Sequence, residues 1–94
     1  MNFADDERRG IEAERMLANP LYVEAYAAIE ARIVDQLALA ATTQQQADEL
    51  RHLLVALRKV KQYMANVATT GTMAAMEINR QQTLAERMRQ RFAA

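Results

Sequence analysis

The sequence has 94 residues, room for one domain. Twelve basic and twelve acidic side chains leave it without net charge near neutral pH. A dedicated nucleic-acid binder carries a basic excess because phosphate neutralisation drives its affinity, so nucleic acid is not the favoured partner. The lack of cysteine removes disulfides, thiolate metal sites and cysteine nucleophiles.

Apolar residues make up 51% of the chain, enough for a core, but many are alanines that bury little area each. Two long helices of this composition cannot cover both their apolar faces. Self-association is therefore expected to supply the missing burial. Apolar runs break at Glu24, Glu30, Arg32 and Asp35, short of the roughly 18 residues that a membrane span needs. The opening Met1-Asn2-Phe3-Ala4-Asp5-Asp6-Glu7 is acidic where a signal peptide is basic. Both features point to a protein of the cytoplasm with no membrane partner.

The first element predicted, within residues 1–18, is a short helix from about Asp5 to Ala18. Asp5, Asp6 and Glu7 suit the positive end of its dipole, and Arg15 falls in its last turn. Ile11 is its main apolar anchor, and Gly10, inside it, costs about 1 kcal/mol against alanine. Asn19-Pro20 marks a boundary: asparagine caps free amides, and proline fits the first helical position. A second helix is predicted over 20–41, with Tyr22, Tyr26, Ile29, Ile33, Leu37 and Ala40 along one side.

Thr43 followed three residues later by Gln46 resembles a capping box. The third helix is predicted over 44–69, where Ala47, Leu50, Leu54, Leu57, Lys61, Met64 and Val67 or Ala68 follow a near-heptad seam, widened by Leu53 and Val60. The short link makes the second and third helices an antiparallel hairpin. Gly71 in Thr70-Gly71-Thr72 suits a left-handed C′ position, which predicts a stop there and a separate C-terminal helical tail over 72–94. In that tail Leu84, Met88 and Phe92 recur at i, i+4, i+8.

Catalytic constellations are missing from this pattern. The carboxylate groupings (Asp5, Asp6, Glu7; Glu12, Glu14; Asp48, Glu49) fall mostly at helix starts on polar faces, where the dipole and solubility account for them. His52 is the sole histidine, four residues after Asp48 and suited to an ordinary i, i+4 pair. With no cysteine and no second histidine to join it, no metal site is expected. Nor is there a Gly-rich phosphate loop or a nucleophile elbow, so no cofactor and no enzymatic activity are expected.

Two basic clusters, Arg58-Lys59-Lys61 and the C-terminal arginines, read first as solvated helix faces. Arg87, Arg89 and Arg91 are the candidates for phosphate contact. Candidate protein-interface residues are Tyr22 and Tyr26 on the second helix, and Met73, Met76, Leu84, Met88 and Phe92 on the tail.

The order Glu7-Arg8-Arg9-Gly10-x-x-Ala13-x-x-Met16-Leu17, then Asn19-Pro20-Leu21-Tyr22-x-x-Ala25-Tyr26, resembles the opening of small phage- and prophage-encoded proteins. The likeness continues through Asp48-x-x-Arg51 and Leu57-x-x-Val60 to Thr70-Gly71-x-Met73-Ala74, and so covers most of the chain. Such proteins look like short reading frames near packaging and head genes, mostly without assigned activity and without functional residues to carry over. An aromatic, often tryptophan, late in their second helix has no counterpart here, where Leu37 stands near that place.

The expectation is thus an all-α fold: a short N-terminal helix, an antiparallel long-helix hairpin and a C-terminal helical tail. The expected function is that of a non-enzymatic phage structural or morphogenesis component, acting by self-association and contact with a phage or host protein. It would work in the bacterial host cytoplasm or within the virion. The alternatives are a small regulator or inhibitor of a host protein, and a DNA-packaging accessory using the C-terminal arginines.

Overall fold

The computed structural model describes residues 2–93. Met1 and Ala94, the outer ends of the expected first helix and tail, lie outside them. Among the described residues there are three helices and no strand: α1 (Phe3–Ala18), α2 (Pro20–Leu37) and α3 (Gln44–Ala93).

Helix α1 starts earlier than its acidic turn suggests, because the Asn2 side chain accepts from the amides of Ala4 and Asp5. Asn19 ends α1 and begins α2. Its backbone is extended (φ −64, ψ 123), and its side-chain oxygen accepts from the amides of Leu21 and Tyr22. Pro20 follows at the first helical position, as the sequence predicts.

Helix α2 stops at Leu37, four residues before the expected end. The Thr42 hydroxyl donates to the Gln36 carbonyl at 2.6 Å, which satisfies one of the carbonyls a helix end leaves free. The capping box fixes where the next helix begins. Gln46 N–H donates to Thr43 Oγ1 at 3.1 Å, and Thr43 N–H donates to Gln46 Oε1 at 3.0 Å. Residues 38–43 must therefore make the reversal, whatever helix propensity Ala38, Ala40 and Ala41 carry.

The expected break at Gly71 is absent. Helix α3 runs for 50 residues through it, and neither glycine has a positive φ. At 1.5 Å per residue the helix is about 75 Å long, which accounts for most of the molecule's 79 Å extent. Thr72 caps nothing; its hydroxyl donates back to the Ala68 carbonyl at 3.2 Å. The predicted separate tail is instead the continuation of α3.

Gly71 serves a contact between helices. Helices α1 and α2 run antiparallel to α3, and α1 packs along it far more extensively than α2 does. A β-carbon built on Gly10 would lie 2.6 Å from Gly71 Cα, and one on Gly71 would lie 2.5 Å from Gly10 Cα and 2.9 Å from the Asp6 carbonyl oxygen. Only two glycines allow the backbones to meet this closely. Ala13 and Ala74, each three residues further on, are buried beside the crossing.

With Gly71 inside the helix, a seven-residue spacing can be followed along the whole of α3, although Leu53 and Val60 on it are exposed and Leu54 beside it is half-buried. Leu50, Leu57, Met64, Gly71, Ile78, Ala85 and Phe92 occupy the a positions, and Leu53, Val60, Val67, Ala74, Gln81 and Met88 the d positions. Helix α1 covers the middle of this seam, α2 lies along its first part, and nothing among the described residues covers the last part.

Candidate protein interface

Among the described residues the buried apolar side chains are Ala13, Ile33 and Ala74, and none is fully buried. A 10.7 kDa chain folded compactly exposes about 5500 Å²; this one exposes 7646 Å². Its radius of gyration is 21.5 Å, against about 12 Å for a compact domain of this length. The surplus surface is organised in two places.

The first is a groove of about 490 Å³ between α2 and α3, lined by Ile29, Ile33, Leu50, Leu53, Leu57 and Val60, with Arg32 and Gln36 at its rim. It exists because α2 leans on α3 along one edge only. On that edge Lys61 Nζ lies 4.6 Å from the centre of the Tyr26 ring, and Arg58 pairs with Glu30 at 3.5 Å. On the other edge Leu53 and Val60 stay more than half exposed.

The second is the end of α3. Residues 79–93 are all exposed, including Leu84, Met88 and Phe92.

The predicted interface residues do not form one surface. Tyr22 and Tyr26 stack on each other at 6.1 Å between ring centroids, with their planes 40° apart. Both are half-buried within the hairpin, so their contacts are intramolecular. Desolvation, with the neighbouring Glu30 carboxylate second, holds the Tyr26 phenol above its ordinary value of 10.0. The Tyr22 hydroxyl is buried and finds no hydrogen-bond partner among the described residues.

Met73 and Met76 are exposed on the side of α3 turned away from α1, at c and f positions. Met88 and Phe92 stand at d and a positions near the end of α3, and Leu84 at a g position beside them. The interface set therefore divides between the hairpin, the back of α3 and its end.

The arginines divide too. At about 100° per residue, Arg87 and Arg91 share a side of α3 with Arg80, and Arg89 points to the opposite side. Arg80 is held by Glu77 through two hydrogen bonds, at 3.0 and 2.6 Å. That bond, stronger than the opposing desolvation, keeps the Glu77 carboxyl below its ordinary value of 4.5 and raises Arg80.

Asp48 is engaged by Gln44 and Arg51, each at 3.0 Å, rather than by His52, which is exposed. Among the described residues no three metal-ligating side chains converge, and no helix is long and apolar enough to cross a membrane.

No family model, curated protein or solved structure matches this chain. What the sequence reasoning missed is the pair Gly10-x-x-Ala13 and Gly71-x-x-Ala74, two equal small-residue spacings that signal a close crossing once set side by side.

Proposed function

We propose that this protein is a non-enzymatic structural component that works by self-association, of the kind small phages and prophages encode for morphogenesis. The observation that carries the reading is the surplus of about 2100 Å² over a compact chain, with large apolar side chains such as Leu53, Val60, Met88 and Phe92 exposed on α3. Monomeric proteins rarely leave such surface bare, because its hydration is unfavourable. The α2–α3 groove and the exposed end of α3 are binding surfaces of a helical rod. Many copies joined through them would hold each other by avidity even where single contacts are weak. The phage assignment rests on the resemblance between residues 7 and 74.

The test separates folding from assembly. Ile33→Asp places a charge at a buried hairpin position and should unfold the hairpin, with a large loss of helical circular dichroism. Met88→Asp should keep full helicity and lower the mass in solution. Equal helicity and equal mass for the parent and both variants would contradict the reading.

A further inference from the structure

Beyond Ile78 the rod becomes an arm. Residues 79–93 extend about 22 Å past the start of α1, and none of them is covered. Leu84 and Met88 are each 51% exposed and Phe92 78%. Met88 and Phe92 continue the d and a positions of α3, and Leu84 lies at the flanking g position. The arm's charge is uneven: Arg87, Arg89 and Arg91 gather at its tip, with Glu86 alone among them. Where the arm leaves the body, α1 begins with Asp5, Asp6 and Glu7, of which Asp5 is paired with Arg8 at 3.1 Å.

We propose that the arm is covered by the arm of a second copy laid antiparallel, so that each arginine-bearing tip reaches the acidic start of the other copy's α1. The proposal rests on the self-association reading and names the surface it uses. Length favours this occupant, since two equal arms pair end to end and each tip stops level with the other copy's α1. Charge favours the direction: a parallel pair brings the two arginine-bearing tips together, whereas an antiparallel pair brings each tip to the end of the other copy that carries Asp6 and Glu7. The arrangement has two-fold symmetry and closes on itself.

The chain has no cysteine, so single cysteines report the pairing without background. Gln81→Cys and Phe92→Cys, one near each end of the arm's seam, are prepared as full-length variants and oxidised singly and as a mixture. Light scattering on the parent accompanies them. The antiparallel pair predicts a parent of at least twofold mass, a disulfide-linked dimer in the mixture, and little linkage in either variant alone. Efficient linkage of Phe92→Cys to itself means parallel arms and overturns the proposal. An oligomeric parent with no linkage in any sample places the interface elsewhere, which overturns this proposal and leaves the self-association reading standing. A monomeric parent removes both.

Discussion

A β-carbon on Gly10 would stand 2.6 Å from the α-carbon of Gly71, inside any permitted contact. The crossing of α1 over α3 is thus a backbone-to-backbone contact. It places the start of α1 level with the point where α3 becomes bare.

The first prediction reverses an ordinary rule. Glycine to alanine inside a helix usually gains about 1 kcal/mol. Here Gly10→Ala or Gly71→Ala must push the helices apart, and the loss should be about 1–3 kcal/mol, as for an overpacked core. Urea unfolding followed by circular dichroism measures it; a stabilised Gly71→Ala protein would mean that the crossing is not formed.

The same residue marks where the sequence was legible and where it was not. The caps were readable because they are local: Asn19-Pro20 and the Thr43/Gln46 box act within four residues. Helical class was readable from the spacing of Ile29, Ile33, Leu50 and Leu57. Gly71 was misread as a stop because its function depends on a residue about sixty positions away, which no local signal contains. Tyr22 and Tyr26 lie on the α2 side that the spacing picks out with Ile33, and both are half-buried there.

Asn19 joins two helices through one side chain. Asn19→Ala keeps Pro20 and the extended backbone but removes the acceptor for the Leu21 and Tyr22 amides. The expected cost is about 1 kcal/mol, read as a lower urea midpoint with unchanged slope. No change would show that water replaces the cap without loss.

Tyr22 offers a prediction of opposite sign. Its hydroxyl is buried with no partner among the described residues, so the desolvation of that group is uncompensated. Tyr22→Phe should therefore be neutral or stabilising by up to about 1 kcal/mol. A clear loss of thermal stability would indicate a hydrogen bond made through water or a second copy.

Acidification should act through Glu77. Arg80 holds its carboxyl below the ordinary value of 4.5 in the folded chain. A depressed carboxyl contributes stability that is present above its unfolded value and lost as pH falls through the lower, folded value. The pair is exposed to solvent, so the effect is small. Melting temperatures compared above and below that window should fall slightly less in Glu77→Gln than in the parent; an equal fall would remove Glu77 from the acid response.

The central claim is that one chain does not complete its own core and that further copies do. Light scattering on the full-length protein, diluted stepwise at low and at physiological salt, tests it most directly. Self-association predicts a mass of at least twice 10.7 kDa that persists on dilution into the low micromolar range, with helicity unchanged. A fully helical species of 10.7 kDa at every concentration would contradict it.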